Sequence, residues 1–253
     1  MPELEVAVAV KGFALLRNAV PQQLVDAASA LIQVQWTQDK VSADTQAVEQ
    51  WSQKTFVPRL SSAAPILALF TPTISSAVDQ LLGASGYPVP DRAQVAIRLH
   101  HNDPLAVAQP DKDWHCDGVY CPHLEAGELR TFELLVGILV SPVATQSEGS
   151  LVVQPGGHLR MADCFKNGCS FADDEQVPSS AISGDGVAIL GQPGDALILH
   201  HLVPHRVGGN AGTKDRIVVY FRVKCYAHDA SVVESLGDPW LHMPHLRHVT
   251  SSG

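Results

Sequence analysis

The chain has 253 residues, 45% hydrophobic and 17% charged, a globular balance with enough apolar side chains for a sizeable core. Its formal charge of −9, from 17 basic and 26 acidic side chains, argues against a general nucleic-acid or anionic-membrane binder, because phosphate neutralisation favours neither. The longest apolar run, LLVGILV at 134–140, is far too short to span a bilayer.

MPELEVAVAV at the start carries acidic residues where a signal peptide carries basic ones. The five cysteines, at 116, 121, 164, 169 and 225, cannot all pair and show no CxxC spacing. Together these features read as a reduced, cytoplasmic chain. KGFALLRNAV (11–20) predicts a short strand, and Pro21 opens a helical pattern through roughly residue 35. Segments 44–54 and 74–83 predict further helices, with Pro58, Pro65 and Pro72 punctuating the region between them. From Ala93 onward the character changes to short β-rich runs: 94–100, 131–140, 150–154, 186–191, 195–201 and 216–223. Gly, Pro, Asn and Asp separate them, as in PGG at 155–157 and GGNAG at 208–212. No regular helix is expected among these strands, a pattern that favours an antiparallel sandwich or barrel over a parallel α/β sheet. Beyond Gly237 the chain carries His242, His245 and His248, which read as a surface tail rather than a metal cluster.

DWHCDG (113–118) puts three possible metal ligands in a row. Side chains alternate along an extended strand, so His115 and Asp117 point one way and Cys116 the other. One imidazole and one carboxylate need a third donor, and GDALILHHLVPHRVGGN (194–210) offers His200, His201 and His205. Two histidines and one carboxylate on one face of an iron leave three adjacent positions open, which suits non-haem Fe(II) oxygen chemistry. With 12 histidines in the chain, spacing alone does not single out this set.

Residues 94–223 resemble the phytanoyl-CoA dioxygenase family of Fe(II)- and 2-oxoglutarate-dependent oxygenases. WHCDG matches the family's H-x-D segment, EGSLVVQPGGH (148–158) its NGxLxVxPGSH segment, and GDALILHHLVPHRVGGN its GDxxxFHxxxxHxSxxN segment. Arg216 follows His205 by eleven positions, as the family's arginine follows its second histidine. The resemblance covers about half the chain, with a fainter echo at GFALLRNAVPQQLVDAA.

What the resemblance implies is specific. His115, Asp117 and His205 would bind Fe(II), and Arg216 would pair with the distal carboxylate of 2-oxoglutarate, its planar donor fork matching a carboxylate. Arg98, and more weakly Gln94, are candidates for the other carboxylate. His200 occupies the family's first, non-ligating histidine position, and His158 closes PGGH, expected to be a tight turn. Val207 departs from the pattern, standing where the family often has a serine that helps hold 2-oxoglutarate. Asp117 is present where related halogenases have a small residue, so hydroxylation is implied.

The expected fold is mainly β with flanking helices. A double-stranded β-helix (jelly-roll, cupin-like) core at 93–225 would stand on a mostly helical support at 1–92, with a C-terminal arm at 226–253, all in one domain. The implied function is a dioxygenase using Fe(II), 2-oxoglutarate and O2 to hydroxylate an unactivated C–H bond of a small molecule, with succinate and CO2 as co-products. Two other readings compete: a non-catalytic jelly-roll protein that binds or senses metal or 2-oxoglutarate, and a Cys116 nucleophile. Segments 37–60 and 119–130 are expected to shape the substrate pocket, with Trp36, Trp51 and Trp114 as lining candidates. No basic cluster marks a CoA phosphate site, which favours a small free substrate.

Overall fold

LLVGIL, strand β3 (Leu134–Leu139), is apolar at every position because both its faces are buried. It is the middle strand of a five-stranded antiparallel sheet ordered β1-β6-β3-β8-β2. The other members are β1 (Phe13–Leu16), β2 (Gln94–Arg98), β6 (Ala196–His200) and β8 (Arg216–Val223). A smaller antiparallel sheet, ordered β5-β4-β7, consists of β4 (Leu151–Val153), β5 (Val187–Ala188) and β7 (His205–Val207). These coordinates are a computed structural model that describes residues 2–41, 59–100, 114–119, 128–169 and 177–250. The expected helix at 44–54, Trp51, Cys121 and most of 119–130 lie outside the described residues.

Strand alternation divides the core in two. Leu135, Leu139, Leu197, Leu199, Val218 and Tyr220 face the smaller sheet and meet its Leu151, Val153 and Ile189. Their neighbours Val136, Ile138, Ile198, Val219 and Phe221 point the other way, into a helical layer. That layer holds α1 (Pro2–Lys11), α2 (Gln22–Val41), the single turn α3 (Ala64–Leu67) and α4 (Pro72–Leu82). α4 starts two residues before the expected position: the Thr71 hydroxyl accepts from the Ile74 N–H and donates to Ala19 O, and Pro72 takes the first helical position. Each fully buried aliphatic or aromatic side chain in these clusters stabilises the fold by ~1.5–3 kcal/mol. The result is the expected jelly-roll core on a helical support.

Three expectations are corrected, and one element was not foreseen. The alternating VAVAV of the N-terminus conceals α1, whose Leu4, Val8 and Ala9 are buried at helical spacing. A helix does interrupt the strands: PGGH leads into α5 (Gly157–Lys166). Gly156 takes a left-handed φ of +70°, and a Cβ on Gly157 would stand 2.5 Å from Pro204 Cδ, so both glycines are needed for the entry. Cys164 and Cys169 form a disulfide closing the end of that helix, with Cα atoms 5.3 Å apart, so the chain is not wholly reduced. The tail is not a surface tail throughout: after α6 (Val232–Gly237), buried Trp240, His242, Met243 and Leu246 carry it under α1, ending in α7 (Leu246–Thr250). Among the described residues no helix is long and apolar enough to cross a membrane.

Candidate metal centre

His115 and His205 exchange both backbone hydrogen bonds, at 3.0 and 2.9 Å, so the DWHCDG segment adds an edge to β7. Such a directly opposed antiparallel pair projects both side chains to one face. Their rings lie 4.4 Å apart, and both residues are buried. Asp117, two residues on, returns to the same face, with Oδ1 3.8 Å from each Nε2. Immediately afterwards Gly118 adopts φ +85°, where a Cβ would strike Arg130 O at 2.3 Å. His205 Nδ1 donates to Val203 O at 2.9 Å, which leaves the Nε2 lone pair facing Asp117.

Arg222 Nη2 donates to Asp117 Oδ2 at 2.7 Å. Burial alone would raise the Asp117 carboxyl, but the Arg222 guanidinium and the two imidazoles hold it well below the usual carboxylate range. The carboxylate is therefore ionised, one oxygen braced and the other turned to the histidines. Arg222 was missed from the sequence, although alternation along RIVVYFRV places Arg216, Val218, Tyr220 and Arg222 on one inward face.

Arg216 is buried, with its Nε donating to Gly149 O at 2.7 Å. It directly opposes Arg98 across the β2–β8 ladder. Gly149 has φ +71°, and a Cβ there would lie 3.0 Å from Arg98 Cγ, so the glycine of EGS admits both arginines. The Tyr220 hydroxyl is raised by burial and partly relieved by Arg216. Its ring covers Gly137, whose added Cβ would stand 2.7 Å from Tyr220 Cε1. A narrow pocket runs through this interior, walled by Leu139, Leu151, Leu197, Val218 and Tyr220, with Arg216 the charged group in its lining. Gln94 opposes Tyr220 in the same register. Val207, paired with Leu151, turns an apolar side chain inward from β7.

The remaining motif residues are structural. Cys116 is buried opposite the imidazoles beside Met161, Leu202 and Leu236, its Sγ 3.6 Å from Leu202 O. Burial, with Asp117 next to it, pushes that thiol well above its ordinary value, which counts against a nucleophile. His200 uses both ring nitrogens: Nε2 donates to Pro239 O at 2.9 Å and Nδ1 accepts from Leu202 N at 3.1 Å. Burial lowers its pKa to about 4. His158 sits in the first turn of α5, not in a turn between strands, and its Nε2 donates to Ala9 O at 3.2 Å. His201 joins no metal-capable group among the described residues. Asn210 donates to Arg98 O and Lys214 O, bracing the loop into β8. Asp195 accepts from Arg17, Asn18 N and Gln192 N, tying β1 to β6. Trp36 lies in the helical core, while Trp114 lies under the Arg206 guanidinium at 4.5 Å.

A two-histidine, one-carboxylate set with these spacings fits a single ion roughly 2 Å from each donor, the donor chemistry of non-haem iron. Two arginines directly opposed on one face are mutually repulsive unless an anion lies between or beside them, which fits a dicarboxylate.

The profile of the phytanoyl-CoA dioxygenase (PhyH) family matches residues 9–218. No curated protein matches the chain. Similar solved structures include EctD from S. alaskensis with 2-oxoglutarate and 5-hydroxyectoine, at 17% identity and TM-score 0.61, covering 90% of this chain and 77% of that one. HygX from Streptomyces hygroscopicus, with nickel and 2-oxoglutarate bound, is 11% identical with TM-score 0.55, covering 89% and 87%. The epimerase SnoN, in complex with Fe3+, alpha ketoglutarate and nogalamycin RO, is 14% identical with TM-score 0.58, covering 88% and 83%.

Proposed function

The chain belongs to the phytanoyl-CoA dioxygenase family, a family of non-haem iron, 2-oxoglutarate-dependent oxygenases, and on that premise we propose that it hydroxylates an unactivated C–H bond of a small organic molecule. The observation that carries the reading is the convergence of His115, Asp117 and His205 at the mouth of the barrel whose interior holds Arg216 and Arg98. His115, Asp117 and His205 would hold Fe(II). Bound iron would supply the activation of O2 that turns 2-oxoglutarate into succinate and CO2 and oxidises the substrate.

The protein's own residues have separate tasks. Val203 O sets the His205 tautomer, and Arg222 holds Asp117 ionised with one oxygen presented. Arg216, fixed by Gly149 O, would receive the distal carboxylate of 2-oxoglutarate through its remaining N–H groups, and Arg98 adds positive charge beside it. The apolar wall of Leu139, Leu151, Leu197 and Val218 keeps water from that carboxylate pair and so strengthens it. Asp117 fills the position that chloride would need, which favours hydroxylation. The epimerase among the similar structures shows that this architecture also serves another outcome.

The test is Fe(II)-dependent succinate formation across a metabolite panel, with product mass read after turnover under labelled O2. A product gaining one oxygen atom from O2 supports hydroxylation, and one of unchanged mass with an altered stereocentre replaces it with epimerisation. Failure to bind 2-oxoglutarate under anaerobic Fe(II) conditions would sink the oxygenase reading. A second reading, a non-turning-over binder of metal and 2-oxoglutarate, is favoured by Val207, which offers no hydroxyl to the distal carboxylate. It requires metal or 2-oxoglutarate binding with no succinate for any substrate.

A further inference from the structure

A second convergence of metal-type donors lies away from the barrel interior, at the end of the large sheet. Glu133 immediately precedes β3, Cys225 and His228 follow β8, and His242 belongs to the C-terminal arm. All four are buried, with 3, 3, 0 and 8% of their surface exposed. Glu133 Oε1 is the common acceptor: His228 Nδ1 is bonded to it, His242 Nδ1 lies at 2.9 Å and Cys225 Sγ at 3.4 Å. Glu133 Oε2 accepts from the Cys225 N–H at 2.7 Å. The donor atoms of Glu133, Cys225 and His242 all lie within 4.8 Å of one another.

The far nitrogens of both imidazoles are also held. His228 Nε2 meets the Thr131 hydroxyl at 2.9 Å, and His242 Nε2 meets the Ser231 hydroxyl at 2.9 Å. Orientation through the remote ring nitrogen is the support that metal-binding histidines characteristically receive. We propose that Glu133, Cys225 and His242 form a second site for a divalent cation of the zinc class, with His228 holding the Glu133 carboxylate from outside the donor set. Thiolate, imidazole and carboxylate are zinc's donors, and the three converge here in a fully buried position.

The proton count closes. The His242 imidazole moves its proton from Nδ1 to Nε2 and the Ser231 hydroxyl rotates from donor to acceptor, with no net change, while His228 stays hydrogen-bonded to Glu133. The Cys225 thiol releases one proton to solvent. A dication with one carboxylate and one thiolate is then neutral, which suits a buried position, whereas the metal-free cluster buries the carboxylate's charge. Loading the site would staple the C-terminal arm to the start of β3 and the end of β8.

This inference is independent of the mouth site, and its test removes that site. The full chain carrying His115→Ala and His205→Ala is stripped of metal and titrated with Co2+ and with Zn2+. The expected result is one equivalent of Co2+ with a thiolate-to-cobalt charge-transfer band that Zn2+ bleaches and Cys225→Ser abolishes. The unaltered chain should bind two equivalents of Co2+, the same band accompanying one of them, so the answer does not depend on either variant folding. Absence of a bound equivalent, or cobalt bound without the charge-transfer band, would overturn the proposal and leave a hydrogen-bonded hub.

Discussion

The molecule contains two clusters built from the same residue types and arranged oppositely. At the barrel mouth, His115, Asp117 and His205 come from two adjacent strand segments, and Asp117 keeps 17% of its side chain exposed. At the sheet's end, Glu133 is surrounded on all sides by His228, His242 and Cys225. Three donors with an open side suit a catalytic ion, whereas donors buried on every side suit a structural one. The carboxylate's partner differs as well. Asp117 is braced by an arginine on the side away from the imidazoles, while one Glu133 oxygen is shared by two imidazoles and the Cys225 thiol.

Substitutions can break this contrast. The largest effect is expected from Asp117→Ala, which removes a proposed ligand at the open site and should lower 2-oxoglutarate turnover by more than about 100-fold, beyond the range of outer-shell changes. Its midpoint of thermal unfolding should fall less than that of Glu133→Gln, because the Arg222 left behind is partly exposed. Glu133→Gln, by contrast, should cost about 3–5 kcal/mol of stability by removing one partner of a buried pair, seen as a lower denaturant midpoint. Equal stability losses in the two variants would erase the contrast.

Arg222→Gln should weaken Fe(II) binding by roughly 10–100-fold, because Asp117 loses the donor that holds it ionised and oriented. Anaerobic Fe(II) titration reads this directly. An unchanged affinity would reduce Arg222 to a surface ion pair.

Asp195 lies outside both clusters and provides a reference. Burial would raise its pKa, but N–H donors from Gln192 and Asn18, together with Arg17, depress it overall. A depressed folded-state pKa contributes stability above the unfolded carboxylate value, and that contribution is lost as pH falls through the folded one. Asp195→Asn should therefore lower stability by about 1–3 kcal/mol at pH 7, and the deficit should shrink below about pH 4. Denaturant midpoints against pH check this, and a pH-independent deficit would contradict it. The smallest effect is expected from Val207→Ser. A hydroxyl facing the proposed 2-oxoglutarate carboxylate should tighten 2-oxoglutarate by a few-fold, about 0.5–1.5 kcal/mol, in an anaerobic binding assay.

The strands and the mouth cluster were legible because both follow short-range rules. Short β-rich runs bounded by Gly, Pro, Asn and Asp marked all of the large sheet, and H-x-D on an extended segment put His115 and Asp117 together with Cys116 opposed. What pairs with that segment depends on chain folding, so His205 could be chosen over His200 and His201 only through the family resemblance. Arg222 was available from the alternation that starts at Arg216, but two residues of opposite charge, 105 positions apart, carry no local signal of their pairing. The same holds for Glu133 with His242, whose tail position made it look like surface. α1 was hidden by an alternating apolar pattern, and α5 by glycines that serve a helix entry instead of a turn.

The most direct test of the mouth site is an anaerobic titration of the Fe(II)-loaded chain with 2-oxoglutarate, followed by the visible charge-transfer band of the chelate. The band should appear at one equivalent, be lost in His205→Ala, and require much higher 2-oxoglutarate in Arg216→Ala. No band in the unaltered chain, or one that survives His205→Ala unchanged, would contradict the assignment of iron and 2-oxoglutarate to this site.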